Sequence, residues 1–175
     1  MEYIIFSDGG SFNNGYKDPN LPQFCSSGIV LTLNEQVIFE GSKGFEGDYA
    51  TNSYGEVNGA LMALKVLEKK VKGAGIKPPY YVKVYSDSQY TVKGANEWIK
   101  GWKKRGWVNS SGEVVKQVDL WKEMDKRFLS NREWKIEFVH VKGHTNAQDF
   151  YSRMNQKCDD LCTAKIKEMR EKHQL

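Results

Sequence analysis

Several features are scarce in this chain, and each shortage removes a class of protein. It has three cysteines, Cys25, Cys158 and Cys162, in 175 residues. That odd number builds no even disulfide framework and suits reduced thiols in a cytosol. No apolar run approaches the roughly 18–20 residues of a membrane span. The amino terminus, MEYIIFSDGG, has no basic leader, and its apolar run is too short for a signal peptide. The chain is therefore expected to be cytoplasmic and complete as written. Charge of one sign is lacking too: the net charge is only +4, which says little about partners. Repeats, low-complexity tracts and interdomain linkers are absent. What is present is the composition of a soluble globular protein, 39% hydrophobic and 27% charged, long enough for one domain with a core of its own.

Hydrophobic periodicity orders the elements. Residues 2–7, 28–33 (GIVLTL) and 36–40 (QVIFE) read as strands. The Leu33-Asn34-Glu35-Gln36 link suits a hairpin, although Asn-Glu is not the strong Asn-Gly pair. Between the first two strands, NNGYKDPNLPQF reads as a long surface loop. From Ser53 to Val71 the period changes, with Val57, Ala60, Leu61, Leu64, Leu67 and Val71 on one helical face. Thr51 or Asn52 suits its start and Gly73 its end. KPPYYVKVYSD returns to strand, short helical pieces run to Lys104, and RGWVNSSGE breaks them. A helical run follows from Val118 to Phe128, then the strand WKIEFVHV, then a loop. Asn155 to Lys172 reads as a terminal helix with Cys158, Leu161, Cys162, Ile166 and Met169 on one face. Three sequential strands suggest an antiparallel meander, and the later alternation suggests parallel strands with helical crossovers.

Two of these strands end alike, in IIFSDGGS and in VKVYSDS. In open α/β sheets ligands bind beyond the carboxyl ends of the strands. If the two strands are adjacent and parallel, Asp8 and Asp87 stand side by side there. Glu56, in the first turns of the first long helix, and Asp159, beside the apolar stripe of the last one, are further candidates. Carboxylates this close repel unless something neutralises them. Magnesium, a hard ion with oxygen ligands, does so. Four such acids can hold two ions about 4 Å apart, clamping the attacking and leaving oxygens of a phosphoryl transfer. The plainer alternative stays open at this point: an acid at a strand end is commonly a turn or cap residue, and Glu56 alone suits a helix amino terminus. A zinc set from Cys158, Cys162, His140 and His144 is rejected, because His140 lies within a strand, where i and i+4 stand about 13 Å apart. The cysteines fit better as small apolar residues of a buried helix face.

Seven strings carry a resemblance through most of the chain: SDGGS at 7–11, TNSYGEVNGALMAL at 51–64, YSDSQY at 85–90, WIKGWKKRGW at 98–107, VDLWKEMD at 118–125, VKGHT at 141–145 and NQKCDDL at 155–161. In this order and spacing they resemble ribonuclease H of type 1, the bacterial form with a basic protrusion. The resemblance implies a ribonuclease H-like α/β fold: a mixed five-stranded sheet, antiparallel meander plus parallel strands, with helices on both faces. It implies a single domain over residues 1–175, with the protrusion at about 98–117. Asp8, Glu56, Asp87 and Asp159 take the positions of the metal-binding acids, and His144 that of a catalytic histidine on a mobile loop. The implied reaction is endonucleolytic hydrolysis of the RNA strand of RNA–DNA hybrids through two Mg²⁺ ions, with Mn²⁺ as a substitute. Its products carry 5′-phosphate and 3′-hydroxyl ends, and the enzyme is expected to act as a monomer.

The segment WIKGWKKRGW interleaves Lys100, Lys103, Lys104 and Arg105 with Trp98, Trp102 and Trp107, with no acid between. Such a run is commonly a solvated helix face over packed tryptophans. Beside a carboxylate site it also suits a polyanion, attracting phosphates without reading sequence. By resemblance this segment seats the DNA strand, with Trp98, Lys103, Lys104, Arg105 and nearby Trp121 facing the substrate. Asn14, Thr51, Asn52 and Gln89 match backbone- or minor-groove-contacting positions. Recognition of RNA must come from the 2′-OH, which backbone around Gly9 and Gly10 can approach because glycine leaves room. Two stretches depart from the family pattern: KDPNLPQF lengthens the loop after Asn14, and TNAQDFYSRM the one after His144. The rival readings are another nuclease or strand-transfer enzyme on the same fold, and a hybrid-binding module without catalysis.

Overall fold

A computed structural model describes residues 1–143, 146 and 148–175. Five strands form one sheet: β1 (Glu2–Phe12), β2 (Phe24–Leu33), β3 (Gln36–Glu46), β4 (Tyr80–Ser86) and β5 (Trp134–His140). Their order is β3-β2-β1-β4-β5. The first three pair antiparallel, and β4 joins β1, and β5 joins β4, in parallel. This is the expected meander with parallel additions. Asn34 and Glu35, at φ 51° and 61°, make the hairpin with both central residues left-handed, the geometry that matches strand twist.

Helices cover both faces, as expected. On one side α1 (Asn52–Gly73) lies over β1 and β2. Its stripe Val57, Ala60, Leu61, Leu64, Leu67 and Val71 packs on Tyr3, Ile5, Ile29 and Leu31. The same layer takes α2 (Gln89–Lys93), α3 (Ile99–Lys104) and α4 (Val118–Met124), with π-helical turns at Gly94–Trp98 and Asp125–Leu129. On the other side α5 (Phe150–Lys172) crosses β1, β2 and β3, where Phe150, Met154 and Cys158 pack on Phe6 and Val30. Thr51 caps α1, its hydroxyl accepting the Tyr54 N–H at 3.2 Å, which satisfies one of the helix's orphan donors.

The strands are longer than hydrophobic pattern predicts. The first strand expected at 2–7 runs to Phe12, the second begins at Phe24 rather than 28, and the third runs to Glu46 rather than 40. DGGS and SSG look like turn sequence, yet they are strand on which helices press closely. A Cβ on Gly9 would overlap the backbone of Gly55 and Glu56 in α1. One on Gly28 would lie 2.7 Å from the Cys158 carbonyl oxygen in α5. The hydroxyls beside them tie the layers. Ser27 Oγ donates to Gly55 O of α1 at 2.7 Å, and Ser26 Oγ to Cys162 O of α5 at 3.0 Å. The terminal helix also begins earlier than predicted, at Phe150 rather than Asn155, because Phe150 and Met154 extend the buried stripe of Cys158 and Cys162 at four-residue steps.

Close approach at Gly28 makes a direct test. Gly28→Ala is expected to lose about 1–3 kcal/mol in urea unfolding, since backbone and sulfur of α5 must move. Gly73→Ala, at a helix end with open space around it, should be neutral or gain up to about 1 kcal/mol by restricting the unfolded chain. Equal effects at both sites would count against layer packing as the reason for Gly28.

Candidate active site

Parallel pairing of β1 with β4 sets Phe6 opposite Tyr85, and two further steps bring Asp8 opposite Asp87. Both stand just past the end of the β1–β4 pairing: Asp87 is one residue beyond β4, whereas Asp8 lies within β1, which continues to Phe12 against β2. Asp8 is 4% exposed, and the Gly9 N–H donates to its Oδ1 at 2.8 Å. Burial, then the charge of Asp87, then that of Asp159 push its carboxyl up to about 8 against the pull of that hydrogen bond. Glu56 reaches the same place from the second turn of α1. Burial raises its pKa and the charge of Asp87 adds, while hydrogen bonds from Ser88 and Asn52 pull it down. The Asn52 amide holds it, Nδ2 to Oε1 at 2.8 Å. Asp159 comes from the opposite face on α5, half-buried, with Gln156 Nε2 at 3.4 Å.

The four acids thus meet from both faces and two strands. As they stand, no three of the described His, Cys, Asp or Glu side chains are gathered tightly enough to hold a metal ion. The donors are all oxygens, the set that hard divalent ions take. His144 lies outside the described residues. Its neighbour Gly143 presses on the site, since a Cβ there would be 2.6 Å from Asp87 Oδ2.

The other candidates divide. Asn14, exposed, accepts the Asn52 N–H at 3.0 Å through Oδ1, so these two residues and Glu56 form one chain of contacts. Thr51 spends its oxygen on the α1 cap. Gln89 is exposed at the first position of α2, two residues from Asp87. Gly9 has a different reason for its size than the one expected: α1 fills the room beside it, and its N–H serves Asp8.

In the basic run, Trp98 is 41% exposed, while Trp102 is 5% exposed and packs inward. Lys104 and Arg105 are exposed, and Arg105 Nε donates to Val108 O at 3.1 Å. Lys103 is engaged, its Nζ 3.1 Å from Asp125 and 3.0 Å from Ser130 Oγ. An open cavity of about 610 Å³ lies here, walled by Tyr90, Trp98, Trp102, Arg105, Asn109 and Lys116 among others. Trp121 requires correction: it is wholly buried, edge-on to Trp102 at 5.3 Å, so it supports the cation-bearing segment from beneath instead of facing a ligand. The cysteines are core, as expected; all three are buried and free, and burial pushes the Cys25 thiol up to about 12 and raises the other two as well.

Sequence reasoning passed over Ser88, Gly143 and Gln156. Ser88 was findable, because Ser-Gln-Tyr-Thr directly after Asp87 has a helix-cap residue in place, and Ser88 Oγ accepts the Thr91 N–H at 3.2 Å. Gln156 had only its position, three before Asp159 on the helix. Gly143 had none.

Known proteins place this arrangement. The RNase H family model matches residues 1–167. Ribonuclease H of Dechloromonas aromatica (strain RCB) is 32% identical over 168 residues, covering 95% of this chain and 94% of that protein. Ribonuclease H of Shewanella halifaxensis (strain HAW-EB4) is 37% identical over 157 residues, 90% of this chain and 81% of that one. The foamy viral protease-reverse transcriptase in complex with RNA/DNA hybrid matches 93% of this chain over 19% of its own, with TM-score 0.71 and 23% identity, a likeness of fold. With the family model matching residues 1–167 and relatives of nearly its own length at 32–37% identity, this chain belongs to the RNase H family of nucleases.

Proposed function

We propose that this chain is an endonuclease for the RNA strand of RNA–DNA hybrids, leaving 5′-phosphate and 3′-hydroxyl ends. The observation that carries the reading is the meeting of Asp8, Glu56, Asp87 and Asp159 at one sheet edge in a chain of this family. The foamy viral relative, solved with an RNA/DNA hybrid, supports the substrate class. Residues 1–175 are read as one domain acting as a cytoplasmic monomer. No helix among the described residues is long and apolar enough to cross a membrane.

The donor set fits two Mg²⁺ ions, with Mn²⁺ as a substitute. It is all carboxylate, and burial, followed by the charge of Asp87, raises the Asp8 carboxyl, a shift that a bound cation would oppose. Bound there, the ions would supply Lewis-acid activation and charge neutralisation at the scissile phosphodiester. The chain's own residues do the positioning. Gly9 N–H fixes one oxygen of Asp8, and Asn52 fixes one of Glu56. Asn14, Thr51, Asn52 and Gln89 border the acids and meet the substrate backbone, where the 2′-OH marks the RNA strand. Lys104 and Arg105, with Trp98 beside them, take the DNA strand as a basic protrusion over about 98–117, and Lys103 contributes through its bond to Asp125. His144 assists proton movement or product departure.

Asp8→Asn or Asp87→Asn should abolish cleavage of a labelled hybrid while the fold persists; cleavage near the wild-type rate would remove the metal-site assignment. Activity on hybrid but not on duplex DNA or duplex RNA is expected of the wild type, and binding without any metal-dependent cleavage would favour the non-catalytic module.

Metal-free protein offers a second readout. Asp8 sits near 8 when folded against an ordinary value of 3.8, so between about pH 4 and 8 the folded state binds more protons than the unfolded one. Stability must then fall as pH rises through that window. In chelator, thermal melting should drop from pH 5 to pH 8. Asp8→Asn should flatten the drop and add about 1–3 kcal/mol at pH 8, since a tenfold change in proton affinity is worth about 1.4 kcal/mol and the interaction with Asp87 divides the effect. A wild-type melting temperature that rises over the same range would contradict the crowding of the acids.

The cations separate by their contacts. Lys104→Ala with Arg105→Ala should lower hybrid affinity and reduce the log–log salt slope by roughly 0.9 for each phosphate left without its cation. Lys103→Ala should also cost fold stability through Asp125. An unchanged slope in the double variant would make the run a solvated face. For His144→Ala, slower steady-state turnover with a smaller fall in single-turnover rate is expected; a loss as complete as in Asp87→Asn would overturn the assisting role.

A further inference from the structure

The lengthened stretch after Asn14 is a compact, internally bonded loop. Asn13, at φ 57°, folds it: its Nδ2 donates to the carbonyls of Asp18 at 2.8 Å, Leu21 at 2.9 Å and Pro22 at 3.2 Å, and its Oδ1 accepts the Asp18 N–H at 2.8 Å. Closed loops of this size pack through their own side chains and carry function more often than open connections do.

At the loop's end stands Gln23, 1% exposed, with both ends of its amide committed. Oε1 accepts the N–H of Gly15, the residue after Asn14, at 2.5 Å. Nε2 donates to the carbonyls of Gly47 at 3.0 Å and Asp48 at 3.1 Å, just ahead of Thr51 and Asn52. One buried amide therefore spans the two segments that carry Asn14 and Asn52. Outside it, the loop is joined to the second segment by Tyr16 OH donating to Asp48 Oδ1 at 2.6 Å and by the Asn52 N–H donating to Asn14 Oδ1 at 3.0 Å.

We propose that Gln23 is a positioning residue for substrate binding, acting through Asn14. It locks the loop so that Asn14 Oδ1 stays on the Asn52 N–H, which leaves Asn14 Nδ2 to face outward as a donor for an acceptor oxygen on the nucleic-acid strand. Gln23 itself is buried and touches no substrate. Its amide cannot be replaced in place by an apolar side chain, because two carbonyls and one N–H would go without partners. The assignment rests on Asn14 as a substrate contact, so the test must separate the two.

The test is steady-state cleavage of one RNA–DNA hybrid at saturating Mg²⁺ by wild type, Gln23→Ala, Asn14→Ala and the double variant. The loss of one hydrogen bond predicts a rise in KM of about three- to tenfold in each single variant, with kcat within about twofold. The double variant should be no worse than Asn14→Ala, because residues acting through one contact are not additive. KM effects that multiply would show Gln23 acting elsewhere and overturn the proposal. A kcat lowered at constant KM would show only a smaller folded fraction and overturn it too. Should Gln23→Ala fail to fold, Tyr16→Phe loosens the same loop from an exposed position; it should raise KM about twofold, and only while Asn14 is present. No change of KM in Asn14→Ala would remove the substrate contact itself, and the positioning role with it.

Discussion

Everything at this site depends on one unfavourable contact, two carboxylates set side by side by a pair of parallel strands. Asp8 and Asp87 are neighbours because each lies two residues beyond the Phe6–Tyr85 pair that ends the parallel register, and the charge of Asp87 is felt at Asp8. In water two such groups would separate. Here the strands are fixed by burial on both faces, with Tyr3 and Ile5 under α1 and Phe6 under α5. A side-chain period of two means a strand cannot slip to relieve the contact without turning its core residues outward. The repulsion is held in place by packing; burial raises the Asp8 carboxyl first, and the charge of Asp87 adds to it.

The same packing explains how Glu56 and Asp159 reach the site. Each rides on a helix, and a helix normally stands off a sheet by the thickness of its side chains. Both are brought closer at small residues: α1 at Gly9 and Gly55, α5 at Gly28. Consecutive hydroxyls of β2 bond to opposite layers, Ser26 to α5 and Ser27 to α1, as alternation along a strand requires. Asn58 Nδ2 adds a bond to Ser27 Oγ at 3.1 Å. The small polar residues that look like turn sequence are thus the places where the acid-bearing helices are seated.

That double use explains what was legible in the sequence and what was not. Apolar runs marked part of each of the five strands, and a 3.6-residue period marked α1 almost to the residue, because those patterns answer to burial alone. Strand ends were missed where Gly and Ser serve close helix approach, since composition cannot distinguish a turn from a contact without Cβ. The start of α5 was legible and missed: Phe150, Met154, Cys158 and Cys162 form one stripe. Trp121 was misplaced because an aromatic near a cationic run reads alike whether it faces a ligand or holds the run from below. The acids themselves came from the repeated Ser-Asp strand ends. Their convergence with Glu56 and Asp159 came from the family resemblance, since separations along the chain carry no distance in space.

A last consequence concerns how a modest net charge of +4 can serve a polyanion. The balance is partitioned by neighbours. Among the cations, Lys65 and Arg127 are committed to Glu123, and Lys103 to Asp125, at 2.9–3.2 Å. The exposed pairs at Glu123 contribute little stability each, while Lys103 holds the largely buried Asp125; all three neutralise acids. The Asp125 side chain is only 13% exposed and bound to Lys103, so it presents little negative field beside Lys104 and Arg105. Opposite charge is concentrated instead at the sheet edge, where Asp8 can carry a proton until a cation replaces it. A phosphate approaching the sheet edge unaided would meet four carboxyls; one approaching α3 meets exposed Lys104 and Arg105. Field and chemistry are therefore kept on separate elements, the exposed cations on and just after α3 and the acids beside the end of the β1–β4 pairing.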